Sequence, residues 1–133
     1  MLNQTHMLPG ARVLVADDDP QLLDAVTDAF TRLDAAVVRA SSGADLIEQL
    51  ATAGPFDLVV TDISMPWMSG LQAIRSTRAA GLPTSVIFMT ALSYPRIAAQ
   101  VKALGSNIVL LRKPFELSEL ASSASMLLSA RRP

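Results

Sequence analysis

The sequence contains no cysteine, one histidine, one tryptophan and one tyrosine among its 133 residues. Without cysteine, a disulfide framework and thiolate metal sites are excluded. No apolar run approaches the roughly 20 residues of a membrane helix, and no basic segment leads into an apolar stretch as in a secretion signal. We therefore expect a cytoplasmic protein that does not enter a membrane.

An excess of basic charge is also missing, since 11 basic and 12 acidic residues give a net charge of -1. Nucleic-acid binding depends on a basic face that neutralises phosphates, so this balance argues against it. Half of the residues are hydrophobic and 17% are charged, which is typical of a globular chain. The length fits one domain. We expect a flexible N-terminal arm over residues 1–10, carrying the only histidine, His6, and a single domain over 11–133.

From residue 11 onward, five short apolar segments alternate with five segments that have helical spacing. This alternation predicts an α/β fold in which helices cover both faces of a parallel sheet. The predicted strands are 12–16, 36–40, 56–61, 84–89 and 107–111. The predicted helices are 21–33, a segment from 43 to about 53, 71–80, 95–104 and 116–130.

Polar side chains stand at the ends of four of these strands. Asp17 and Asp18 follow the first strand, Asp62 closes the third, Thr90 closes the fourth and Lys113 follows the fifth. A single strand-end acid is most often a solvated turn residue. However, ligands of open α/β sheets bind beyond the carboxyl ends of the strands, so four such ends predict one site.

The residue types at this edge favour phosphoryl transfer. Three carboxylates within a few ångströms repel one another unless a cation lies among them, and oxygen ligands suit Mg²⁺. Lys113 and Thr90 add an ammonium and a hydroxyl that can hold phosphoryl oxygens. Asp62 is the candidate nucleophile, because the loop that follows it can wrap the incoming group. We also expect the Lys113–Pro114 bond to be cis.

Together these residues resemble the receiver domain of bacterial two-component response regulators. The resemblance covers residues 12 to 130 and rests on the order and spacing of four motifs, each weak alone. The motifs are Val13-Leu14-Val15-Ala16-Asp17-Asp18-Asp19-Pro20, Asp62-Ile63-Ser64-Met65-Pro66-Trp67-Met68-Ser69-Gly70, Phe88-Met89-Thr90-Ala91 and Lys113-Pro114-Phe115.

The resemblance implies a flavodoxin-like (βα)5 fold with strand order 2-1-3-4-5 and a phosphoacceptor that catalyses only its own phosphorylation and dephosphorylation. It implies that Asp62 takes a phosphoryl group from a phosphohistidine and ligates Mg²⁺ together with Asp18 and the Ser64 carbonyl. Asp17 would act on the ion mainly through water. Lys113 would bind a phosphoryl oxygen, and Thr90 would close on the phosphate as the switch hydroxyl.

The implied partners are a sensor histidine kinase or phosphotransfer protein upstream, and an effector domain or separate protein downstream. In the family, the surface formed by helix four, strand five and helix five carries the signal, and a homodimer through this surface is a further expectation. Three residues bear on that relay. Leu110 replaces the ring that the family carries three residues before the lysine, so Tyr94 is a candidate replacement and Trp67 a candidate partner contact.

Two other functions stay open. A haloacid-dehalogenase-like phosphatase would use Asp17 as nucleophile and Asp19 as the second acid, although the chain has no room for a cap and lacks a late acidic pair. A degenerate receiver would bind proteins without being phosphorylated. The sequence does not decide whether the domain acts alone or is part of a longer regulator.

Overall fold

The computed structural model describes residues 7–65, 69–82, 84–91 and 94–130, and these form one parallel sheet with helices on both faces. The strands are β1 (Arg12–Ala16), β2 (Ala36–Ala40), β3 (Leu58–Asp62), β4 (Ser85–Thr90) and β5 (Ile108–Arg112). The helices are α1 (Pro20–Arg32), α2 (Gly43–Thr52), α3 (Gly70–Ala79), α4 (Tyr94–Lys102) and α5 (Leu117–Ala130). The strand order is β2-β1-β3-β4-β5. Both the α/β fold and the order 2-1-3-4-5 are confirmed.

The alternation of side chains along each strand divides the core into two halves. Val13 and Val15 pack on the α1 and α5 side, whereas Leu14 and Ala16 pack on the α2, α3 and α4 side. The central strands β3 and β4 are buried at every position, which explains why their sequences read as continuous apolar runs. The rigid centre of the sheet therefore lies directly beneath the predicted site.

Side-chain caps fix where the chain turns from strand to helix. The Asp19 carboxylate accepts a hydrogen bond from the Gln21 N–H (3.0 Å) at the start of α1. Ser69 and Gln72 form a reciprocal capping box at the start of α3. Asp19 is thus the N-cap of α1.

Strand β3 begins and ends later than predicted. The main-chain N–H of Arg12 donates to the Asp57 carboxylate (2.8 Å), and the Asp57 N–H donates to the Arg12 carbonyl (2.9 Å). These bonds tie residue 57 to the start of β1 before the regular pairing begins at Leu58. Asp62 is the last residue of the strand and pairs with Met89 of β4.

Within the predicted arm, the structure describes residues 7–10. Leu8 is 6% exposed and packs in the core on the α1 side, and its N–H donates to the Leu33 carbonyl (2.7 Å). Gly10 donates in the same way to Asp34 (3.1 Å). This part of the chain is anchored to the end of α1. Among the described helices, none combines the length and the apolar character needed to cross a membrane.

Candidate functional site

The carboxyl edge of the sheet brings together all the polar strand ends that the sequence singled out. Asp17 follows β1, Asp62 is the last residue of β3, Thr90 is the last residue of β4 and Lys113 follows β5. These four strands are consecutive neighbours in the sheet. The site is therefore built by the order of the strands.

Three carboxylates form the floor of the site. Oxygen atoms of Asp17, Asp18 and Asp62 all lie within 4.8 Å of one another. Asp17 is 1% exposed and Asp62 is 8% exposed, whereas Asp18 is open to solvent. Two of the three negative charges are thus removed from water. Their mutual repulsion is stronger in the protein interior than it would be in solvent.

Lys113 spans the two buried carboxylates. Its Nζ lies 2.7 Å from Asp62 Oδ2 and 3.2 Å from Asp17 Oδ2. The main-chain N–H of Lys113 donates to the Thr90 carbonyl (2.7 Å), and the peptide bond to Pro114 is cis, as predicted. The hydrogen bond to Thr90 therefore fixes the main chain of Lys113 at the end of β4. From this position the Lys113 ammonium reaches Asp62 and Asp17.

Main-chain donors orient the second oxygen of each buried acid. Asp62 Oδ1 accepts from the Ser64 N–H (2.9 Å), and Asp17 Oδ1 accepts from the Asp19 N–H (2.8 Å). Each carboxylate is thereby held between a backbone N–H and the Lys113 ammonium. Such double contacts restrict the side chain to one orientation, which a nucleophile requires.

Burial raises the pKa of the Asp17 carboxyl, and the Asp62 charge acts in the same direction. The Asp19 N–H and the Lys113 ammonium counteract this only in part. Burial by itself lowers the pKa of the Lys113 ammonium, but hydrogen bonds and charges from Asp62 and Asp17 outweigh it, so the pKa of Lys113 is raised. Lys113 is therefore held in its charged form.

The donor set fits a hard divalent cation. Lys113 supplies one positive charge against three carboxylates, and the clustered ligand atoms are all oxygens. A negatively charged site with hard oxygen ligands suits Mg²⁺ rather than a thiophilic metal. The excess negative charge and the raised pKa of Asp17 both indicate that the cluster would be stabilised by such an ion.

Thr90 and Ser64 occupy the places that the sequence predicted. Thr90 is fully buried at the end of β4, next to Arg112 of β5 in the ladder. Ser64 is exposed in the loop after Asp62. Thr90 thus ends the strand next to that of Asp62, and the Ser64 N–H donates to the Asp62 carboxylate.

Of the three relay candidates, only Leu110 lies fully within the described part of the chain. Leu110 is partly buried, packs on the α4 side of the core and pairs with Phe88 across the β4–β5 ladder. Beside it lies an open groove of about 270 Å³, lined by Ala98, Val101, Lys102, Gly105, Ile108 and Leu110. Tyr94 begins α4 but its side chain falls outside the described part of the chain, as does Trp67 entirely.

Two contacts of the Asp62 main chain could not be predicted from the sequence. The Thr61 hydroxyl donates to the main-chain carbonyl of Asp62 (2.9 Å), and Gly70 packs directly against the same carbonyl. Gly70 ends one of the four motifs, but neither residue type indicates a contact with the other. The contact joins the end of β3 to the start of α3.

Known proteins with similar sequences point to one family. A family model described as response regulator receiver domain matches residues 13–125. Transcriptional regulatory protein DltR of Streptococcus agalactiae is 36% identical over 109 residues, which are 82% of this chain and 48% of DltR. The response regulator protein PmrA of Pseudomonas aeruginosa is 37% identical over 110 residues, again 82% of this chain and 48% of the relative. The chain thus spans about half the length of these relatives.

Solved structures agree on the fold. The receiver domain of the Francisella response regulator 1452 superposes with a TM-score of 0.84 at 26% identity, covering 92% of this chain and 100% of that one. The signal receiver domain of the response regulator NarL from Mycobacterium tuberculosis gives 0.82 at 29% identity, covering 93% and 100%.

Proposed function

The chain belongs to the family of response regulator receiver domains, the phosphoacceptor domains of two-component systems, and from this we propose that Asp62 is its phosphoacceptor. The observation that carries this assignment is the placement of Asp62. Its carboxylate lies in the acidic cluster at the end of a central strand, 2.7 Å from the Lys113 ammonium.

In the proposed reaction, a carboxylate oxygen of Asp62 attacks the phosphorus atom of a phosphohistidine. An O–P bond forms, the N–P bond breaks, and the electron pair of that bond leaves on the imidazole nitrogen. Lys113 already contacts Asp62 and can follow a phosphoryl oxygen as charge builds up there. Thr90, at the end of the neighbouring strand, would donate its hydroxyl to the phosphoryl group.

Asp18, Asp62 and the main-chain carbonyl of Ser64 would hold Mg²⁺, and Asp17 would act on the ion mainly through water. The ion supplies positive charge that neutralises the phosphoryl oxygens. Asp17 also contacts the Lys113 ammonium (3.2 Å), so it would help to hold that ammonium beside Asp62. We propose that the chain catalyses only the gain and loss of its own phosphoryl group.

The proposed donor is a sensor histidine kinase or phosphotransfer protein, in the cytoplasm. The proposed output surface consists of α4, β5 and α5, where β5 is an edge strand and the Leu110 groove is open. Its partner would be an effector domain or a downstream protein, or a second copy of this chain. The matched relatives are about twice as long as this chain, which supports an attached effector domain as the partner.

Leu110 lacks a ring that could respond to Thr90, and its packing gives it a structural role. We therefore propose that Tyr94 reports phosphorylation to the partner and that Trp67 contributes to partner contact. Tyr94→Ala should change output or partner affinity and leave phosphorylation intact, measured as uptake of labelled phosphate beside a binding assay. Unchanged output and affinity would remove Tyr94 from the relay.

Two alternatives are separated by one uptake experiment with labelled acetyl phosphate. In the proposed receiver, uptake requires Mg²⁺ and is abolished by Asp62→Asn. A haloacid-dehalogenase-like phosphatase would depend on Asp17 instead, but the carboxylate of Asp19, its second acid, is engaged in capping α1. A degenerate receiver would take up no label at all.

A further inference from the structure

Thr61 and Gly70 both lie against the main-chain carbonyl of Asp62, the proposed phosphoacceptor. Thr61 is fully buried in β3, and its hydroxyl donates to the Asp62 carbonyl (2.9 Å). Gly70 is the first residue of α3, and its N–H donates to the Ile63 carbonyl (2.9 Å). The start of α3 is thus bonded directly to the residue that follows Asp62.

The approach of α3 is too close for any side chain at position 70. A Cβ atom there would lie 2.3 Å from the Asp62 carbonyl oxygen and 3.0 Å from Thr61 Oγ1. Contacts below 3.0 Å force a displacement of the backbone, because the first of these atoms belongs to the main chain. The glycine is needed here for space, since its φ is not in the left-handed region.

These contacts lie next to Ser64, whose main-chain carbonyl is a proposed metal ligand. Asp62 Oδ1 accepts from the Ser64 N–H (2.9 Å), so the orientation of the carboxylate and that of the Ser64 peptide are linked. We propose that Thr61 and Gly70 are positioning residues, which hold the Asp62–Ser64 main chain where a divalent cation can use the Asp62 carboxylate and the Ser64 carbonyl together. This inference rests on the proposed function for the identity of those ligands.

Thr61→Val tests the role of the hydroxyl, because valine keeps the branched shape and removes the donor. Thr77→Val is the matched control. Thr77 is also buried, and its hydroxyl donates to a main-chain carbonyl (Ala73, 3.1 Å), but within α3 and not at the site. Thr61→Ser restores the donor. All three are compared with the wild-type chain by calorimetric titration with Mg²⁺.

Loss of an outer contact to a metal ligand weakens metal binding by about tenfold or more, and we expect this for Thr61→Val. Thr77→Val should keep the wild-type dissociation constant, and Thr61→Ser should recover it. Gly70→Ala should weaken binding more than Thr61→Val. If Gly70→Ala does not fold, the Thr61 series still decides.

A second measurement needs no metal and no phosphorylation. Hydrogen exchange in metal-free protein reports the Gly70 amide, whose protection should fall roughly threefold to tenfold in Thr61→Val, as for loss of one hydrogen bond. Wild-type Mg²⁺ affinity and wild-type Gly70 protection in Thr61→Val would overturn the inference. Equal losses in Thr77→Val would overturn it as well.

Failure of the proposed function would look different. It would be seen in the wild-type chain alone, as no phosphoryl uptake from acetyl phosphate with Mg²⁺. The ratio of Mg²⁺ affinities and the Gly70 protection of the variants would still decide whether Thr61 and Gly70 position the loop.

Discussion

At the scale of single residues, the ionised carboxylate of Asp17 carries an electrostatic cost, because burial and the neighbouring Asp62 charge both raise its pKa. It is almost fully buried, and Asp62 lies beside it, while Lys113 is shared between the two. Its raised pKa means that the folded protein binds a proton at Asp17 more tightly than the unfolded chain does. The ionised form therefore lowers the free energy of unfolding at neutral pH.

We predict that Asp17→Asn stabilises the metal-free protein by about 0.5–2 kcal/mol at neutral pH, because it removes a buried negative charge beside Asp62. The amide oxygen can still accept the Asp19 N–H. The variant should also bind Mg²⁺ less tightly. Urea unfolding with and without Mg²⁺ measures both effects.

The sign of the pH dependence provides the control for this prediction. Asp17 contributes stability to the metal-free wild type only below its raised pKa, and this contribution is lost as pH rises through that value. Asp17→Asn should lack this component, so the difference in unfolding free energy between the two proteins should shrink on acidification. A metal-free variant less stable than wild type at neutral pH would contradict the argument.

At the scale of elements, the strands and helices could be predicted because their apolar spacing is regular. β1 and β2 lie where the sequence placed them, and Asp62 and Lys113 followed from strand ends alone. The later start of β3 could not be predicted, since it depends on bonds between Asp57 and Arg12, 45 positions apart in the chain. The contact between Thr61 and Gly70 could not be predicted either, because it joins the end of β3 to the start of α3.

Leu8 is a second feature that local patterns do not reveal. One leucine in a segment of mixed character gives no periodicity, yet it packs against the core and bonds to Leu33. Leu8 thus extends the packed core to the N-terminal side of β1.

We predict that Leu8→Ala lowers the free energy of unfolding by about 2–3 kcal/mol, as for other buried leucines. Met7→Ala is the matched control, because Met7 is 41% exposed, and its effect should stay within about 0.5 kcal/mol. Urea denaturation of both variants measures this. Equal stability of Leu8→Ala and wild type would show that residues 1–10 behave as the flexible arm that the sequence suggested.

At the scale of the whole molecule, the acidic cluster lies at the carboxyl edge of the sheet, and α4, β5 and α5 form the proposed output surface. β4 joins the two, since it carries Thr90 at the site and pairs along its length with β5. Receiver folds of this kind superpose closely on solved relatives, but the relatives matched in sequence are about twice as long.

A bound cation should stabilise the whole domain through linkage. At a Mg²⁺ concentration of about 100 times the dissociation constant, we predict a gain of about 2.7 kcal/mol in unfolding free energy. Asp18→Asn should abolish this gain and leave the metal-free stability close to wild type, because Asp18 is exposed. Unfolding curves with and without Mg²⁺ provide the measurement. A full Mg²⁺ response in Asp18→Asn would contradict the proposed ligand set.

The assignment of Asp62 as phosphoacceptor is tested most directly by locating the phosphoryl group. After incubation with acetyl phosphate and Mg²⁺, borohydride reduces an aspartyl phosphate to homoserine, and peptide mass spectrometry identifies the modified position. We predict homoserine at position 62 in the wild type and at no position in Asp62→Asn. Homoserine at position 17, or at no position in the wild type, would contradict the account.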